Sequence, residues 1–171
     1  MPLPRHKSMR CHLIAVAVLL TIHNIEEVAG SLGATRDAIR ARLPAGISSL
    51  VGSQDAWLVA VVLVTAIPWL LVLLGGLDRP DSHVARALVV LQAGMTLNVL
   101  SHVAGAIAVG GYAGGVATAV LLYVPFSWRF FSLAWREEWV TRQFLWWSPA
   151  LALLLVPLLF VLLALGSAVT G

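Results

Sequence analysis

Long apolar runs separated by short polar connections dominate the chain. Five runs recur, at about Cys11–Ala29, Trp57–Leu77, Val84–Val109, Gly115–Trp135 and Trp146–Val169. Each approaches the ~20 residues a helix needs to cross the hydrocarbon core of a bilayer. Apolar and polar positions do not alternate with period two inside the runs, so barrel strands are not indicated. The predicted fold is an all-α, polytopic membrane helix bundle of about five transmembrane helices, a single domain over residues 1–171. Pro68, Pro125 and Pro157 fall inside the second, fourth and fifth runs. Each removes a backbone donor and is expected to kink its helix. The first connection, Ser31–Ala56, is the longest. Its segment 35–43 reads as a short interfacial helix, with Thr35 as N-cap and Pro44 as its stop, or as a solvated linker.

Composition strengthens this reading. The chain is 60% hydrophobic and 11% charged, against about 25% charged in ordinary soluble domains. The formal charge of +3 comes mostly from arginines in the connections, with Arg86 and Arg129 near span ends, and reads as a topology signal rather than a nucleic-acid patch. Eight of the 11 basic residues (Arg5, Lys7, Arg10, Arg79, Arg86, Arg129, Arg136 and Arg142) fall on one side of the five-span arrangement. The expected location is therefore a cytoplasmic membrane, with the N-terminus cytoplasmic and the C-terminus outside. Trp135, Trp139, Trp146 and Trp147 cluster at the fourth connection and read as an aromatic belt at the headgroups. The single cysteine, Cys11, excludes an internal disulfide and a cysteine-based zinc cluster. The basic N-terminus, the short apolar core and Val28-Ala29-Gly30 also resemble a cleavable signal sequence. Two glutamates and a histidine between core and cleavage site argue instead for a retained span.

Candidate chemistry concentrates at the end of the first run, in His23-Asn24-Ile25-Glu26-Glu27. A carboxylate at membrane depth costs roughly 2.5–3.5 kcal/mol on insertion scales. Two adjacent ones require a proton, a metal, a cation or a water-filled cavity. On a helix, His23, Glu26 and Glu27 fall within an arc of about 100° and can face one neighbour. In the third run, Asn98 and His102 share a face, with Met95 one turn earlier. There are 13 residues from Arg10 to His23 and 16 from Arg86 to His102. Both spans start on the same side, so the two histidines are expected at similar depth, in one composite site. The alternative is that the first span is short and its charges sit in headgroup water. Gln92, Thr96, Tyr123 and Ser127 read as interhelical hydrogen-bonding residues.

At these residues the chain resembles the HXXEE family of small bacterial membrane proteins, named for the motif seen here as His23–Glu27. The family's second histidine is matched by His102. Its Tyr-x-Pro-Gly motif is matched by Tyr112-Ala113-Gly114-Gly115, with Gly114 in place of the proline. The resemblance spans the first four runs. It implies a bacterial inner-membrane protein with a site at these residues, and supplies no reaction. A looser likeness to intramembrane CAAX-type proteases is one of mechanism only. Ser31 stands where those enzymes place an arginine, and their second histidine segment is missing.

Two functions are expected to compete. The first is a membrane-embedded enzyme acting by Glu/His acid–base or metal-assisted chemistry on a lipid or isoprenoid-like substrate, by hydrolysis, isomerisation or cyclisation. Its metal ligands would be His23, Glu26, Glu27 and His102, its cofactor zinc or iron, and its catalytic residues Glu26, Glu27 and Asn98. The second is a proton-coupled small-molecule transporter, whose membrane glutamates would look much the same. A bland third reading makes the cluster a packing device. The bilayer is the expected partner in each. The small residues of the third run (Gly94, Ala104, Gly105, Ala106, Ala108) permit close helix contact within the chain or in a homodimer.

Overall fold

The computed structural model describes residues 5–30, 37, 40–42 and 53–170. No strand occurs among them. The helices, in chain order, are α1 (Arg5–Ala29), α2 (Gln54–Leu74), α3 (His83–Val109), α4 (Val116–Arg136), α5 (Arg142–Ala152) and α6 (Leu155–Thr170). Among the described residues, four helices are long and apolar enough to cross a membrane, and the α5–α6 pair makes a fifth span if its bend is counted as one crossing. The expected interfacial helix at 35–43 lies mostly outside the described residues.

Local sequence explains the boundaries. Ser53 and Ser82 cap α2 and α3, each side chain accepting from a backbone N–H three residues on (Ala56 and Ala85). The cap at Ser53 starts α2 three residues before the expected Trp57. Gly110, at φ +68°, ends α3 in the left-handed conformation that favours glycine. Helix α1 begins at Arg5, six residues before the expected boundary, because the polar N-terminal segment continues the same helix.

The fifth run departs most from expectation. It is two helices bent by 42° at Leu153–Leu154 rather than one continuous helix, and makes the fifth span if the pair crosses together. Pro157 explains the break: it lacks an N–H, and its ring would press on the carbonyl of Leu153 in a continuous helix. Pro125 has a different solution. Residues Ala119–Tyr123 form a π-helical turn just before it, which widens the helix where the ring must fit. Pro68 remains inside α2.

The largest core lies at the end of the bundle holding the α1 and α3 N-termini and the α4 C-terminus. There Leu13 and Val16 of α1, Leu88 and Val89 of α3 and Phe130 of α4 pack around Trp139. The connections at that end are latched. Asp81 takes a positive φ of 60°, its N–H bonds the Trp139 carbonyl, and Arg86 grips its carboxylate. A second cluster, Val99, Ala119 and Tyr123 with Leu19, Met95 and Val103, fills the space between α1, α3 and α4. Helix α2 packs mainly on α6, where Gly166 meets the Ala56 backbone so closely that a Cβ would fall 2.5 Å from its carbonyl oxygen. On α3, Gly94 makes room within the chain for the Leu155 side chain of α6, whose Cδ1 would lie 2.8 Å from a Cβ there. Outward-facing side chains such as Leu73, Leu100, Ile107 and Leu121 are strongly exposed and apolar, as lipid contact requires.

Candidate metal centre

The C-terminal ends of α1 and α3 meet the start of α4, and the motif residues gather there. Parallel α1 and α3 carry their histidines to the same level, as the residue spacing predicts. His23 Nε2 lies 3.0 Å from His102 Nε2 and the rings meet edge to face. His23 is 1% exposed and His102 9%. The Tyr123 ring covers His23 from another side, at a centroid distance of 5.3 Å.

The outer nitrogen of His102 fixes its tautomer, while that of His23 faces a hydroxyl that can donate or accept. His102 Nδ1 is 3.0 Å from the Gly114 carbonyl oxygen. A carbonyl only accepts, so Nδ1 carries the hydrogen and Nε2 presents its lone pair inward. Asn98 Nδ2 donates to that lone pair at 3.0 Å, and the Ser101 hydroxyl donates to Asn98 Oδ1 and orients the amide. His23 Nδ1 is 2.7 Å from Thr118 Oγ1, whose own hydrogen is directed to the Gly115 carbonyl at 3.2 Å. With that assignment His23 also holds its hydrogen on Nδ1, and two nitrogen lone pairs face each other across 3.0 Å, a contact that calls for a proton or a metal ion between them. With the Thr118 hydrogen directed to His23 Nδ1 instead, His23 Nε2–H donates to His102 Nε2 in a neutral hydrogen bond.

Glu27 completes the group. Its carboxylate and the two imidazoles offer ligand atoms all within 4.8 Å of one another. Among the described residues, none donates a hydrogen bond to the Glu27 carboxylate. This His-Glu-His group can hold a metal ion. Tetrahedral coordination at ligand distances of about 2.0–2.1 Å separates two ligand nitrogens by roughly 3.3 Å. The observed 3.0 Å is a few tenths short of that.

Glu26, expected in the same ligand set, is directed elsewhere. Its Oε1 accepts from the Tyr112 hydroxyl at 2.6 Å and the Ala117 N–H at 3.0 Å; its Oε2 accepts from the Thr118 N–H at 2.7 Å. Gly115, the N-cap of α4, has no side chain to satisfy those amides. A carboxylate from α1 does so instead, at the positive end of the α4 dipole. The Tyr112 phenol, donating to Glu26, is held above its ordinary pKa. Asn24 also leaves the cluster, as its place on the helix suggests, and bonds Thr65 of α2 at 2.6 Å.

The turn at Tyr112–Gly115 is shaped by the absence of side chains. Gly115 has φ +85°, and a Cβ there would lie 2.7 Å from His102 Cε1 and 2.9 Å from His23 Cε1. A Cβ on Gly114 would lie 2.7 Å from the Glu27 carbonyl oxygen. The turn therefore presses directly on both imidazoles and on α1. Thr118 was not singled out by its sequence position. Its only signal there is a place three residues past the glycine that opens α4, a position many threonines occupy without function.

Residues 14–130 match the family described as "Protein of unknown function with HXXEE motif". The chain belongs to the HXXEE family. The defining histidine and glutamates of that motif are His23, Glu26 and Glu27, two of which sit in the three-residue group above while the third caps α4. No curated protein and no solved structure matches the chain.

Proposed function

We propose that the HXXEE site is the catalytic centre of a membrane-embedded, metal-assisted enzyme acting on a lipid or isoprenoid-like substrate. The observation that carries this reading is the pair of Nε2 atoms 3.0 Å apart, each backed by an oxygen partner on its outer Nδ1. Metal-ligating histidines are characteristically held in this way, their second nitrogen donating to a carbonyl or another oxygen. Zinc and iron both suit two imidazoles and one carboxylate. Three protein ligands leave a coordination position open, the property that distinguishes catalytic from structural zinc sites. A bound ion would supply Lewis acidity and make water a stronger acid.

The chain's own groups would do the rest. Thr118 and the Gly114 carbonyl aim the two rings. Glu26 ties α1 to α4 and so fixes the distance between His23 and the turn behind it. Asn98 donates to the His102 lone pair; when that lone pair is committed to a ligand bond, the amide is released to donate to a substrate oxygen. The surrounding helices present apolar side chains outward, which suits a substrate arriving from the bilayer. Hydrolysis, isomerisation and cyclisation remain the reaction classes such a site supports.

A proton shared between the imidazoles also satisfies the 3.0 Å contact, and this favours a second reading, a proton-coupled small-molecule transporter. The test compares lipid extracts from cells expressing the wild type and His102→Ala. The enzyme reading expects a lipid product that appears only with the wild type and disappears on chelation. Unchanged extracts, together with pH-driven substrate flux in proteoliposomes that Glu27→Gln abolishes, would replace it with the transporter.

A further inference from the structure

Helix α4 carries a second polar feature, at the end of the bundle far from the histidines. Trp128, Arg129, Ser132, Trp135 and Arg136 line one concave surface of about 580 Å³. Their spacing forms two parallel rows, Trp128 with Trp135 and Arg129 with Arg136, each pair seven residues apart and nearly eclipsed on the helix. Ser132 lies between them. From α5, Arg142 stacks on the Trp135 ring at 5.0 Å and Trp146 meets that ring edge to face.

Arg129 is the informative residue. It lies two turns, or about 10 Å, inside the end of α4, yet it is exposed on the outside of the bundle. Among the described residues, no acidic group or carbonyl pairs with it. Intramembrane arginines ordinarily face the bundle interior or a water-filled cavity. One facing outward two turns from the helix end reaches with its long stem toward the headgroup region, where lipid phosphates lie. Arg136 sits one heptad closer to the surface, its Nε donating to the Ser132 carbonyl at 3.3 Å. Its two terminal nitrogens remain for a second contact. Trp128, 79% exposed, walls the surface on the side where an acyl chain would descend.

We infer that this surface binds the phosphodiester headgroup of an anionic membrane phospholipid. Arg129 and Arg136 grip the phosphate oxygens, and Trp128 and Trp135 flank the glycerol and upper acyl chain. The site is independent of the metal centre, which lies at the opposite end of α4.

The test uses the full chain in a non-ionic detergent, mixed with equimolar phosphatidylglycerol and phosphatidylcholine, with retained lipid counted by native mass spectrometry. The wild type is expected to retain phosphatidylglycerol about tenfold over phosphatidylcholine. The double variant Arg129→Gln, Arg136→Gln should lose that preference; Arg129→Lys with Arg136→Lys should keep part of it. Equal retention of both lipids by the wild type overturns the proposal without recourse to any variant. So does a preference unchanged in the glutamine double variant. Release of phosphatidylglycerol by millimolar inorganic phosphate overturns it too, assigning the surface to a free anion.

Discussion

His23 Nε2 and His102 Nε2 stand 3.0 Å apart, although 79 residues of chain separate them. The contact joins α1 to α3 in the buried interior, where bare charge is costly. Each ring is held from behind by an oxygen, so neither can turn its lone pair away without losing a hydrogen bond.

Thr118 offers the cleanest probe of that support. Thr118→Val keeps the shape and removes the oxygen facing His23 Nδ1. Loss of such an outer partner lowers metal affinity by about 10–100-fold. A competition titration with a chelating dye should find zinc affinity reduced within that range, alongside a stability loss of about 1–3 kcal/mol from the buried imidazole left without its partner.

The two motif glutamates should separate by experiment. Glu26→Ala removes the cap on α4 and is expected to destabilise the protein by about 1–2 kcal/mol, with metal still bound. Glu27→Gln should leave stability intact and abolish metal retention. Thermal denaturation and elemental analysis of the same two preparations check both halves.

Gly115→Ala should be severe. The substitution forces a side chain into a left-handed backbone and toward both imidazoles, costing about 1–3 kcal/mol and spreading the histidines. Gly111→Ala, where a Cβ meets open space, should be silent. Denaturation midpoints of the two variants measure the contrast.

Acid should release the latch at the other end. The Arg86 guanidinium bonded to Asp81 holds its carboxyl below the ordinary 3.8. A carboxyl with a depressed folded-state pKa contributes stability that is fully present above the unfolded value and is lost as pH falls through the folded one. The wild type should therefore exceed Asp81→Asn in melting temperature above about pH 5, and the difference should vanish as pH drops below 3.8. A melting series across that interval checks the sign.

Much of this architecture is legible in the sequence, for reasons that differ by element. The runs that became α1 to α4 are legible because apolar length is a direct consequence of bilayer thickness. The His23–His102 contact is legible because parallel helices of known rise bring equal spacings to equal depth. Glu26 was harder. Its partners are backbone amides of Ala117 and Thr118, and every helix N-terminus offers such amides whatever its residues. Only Gly115, which cannot cap its own helix, hints that a cap must come from elsewhere. The break between α5 and α6 was anticipated as a kink at Pro157. Its size was not, because the cost of a proline depends on whether a wider turn can absorb it, as happens before Pro125.

Metal content tests the central claim most directly. Protein purified in detergent without added metal, then dialysed against metal-free buffer, should retain about one equivalent of zinc or iron per chain. His23→Ala and His102→Ala, each still folded by circular dichroism, should retain none. Wild-type protein that is free of transition metal and fails to take up zinc or iron on titration would contradict the account.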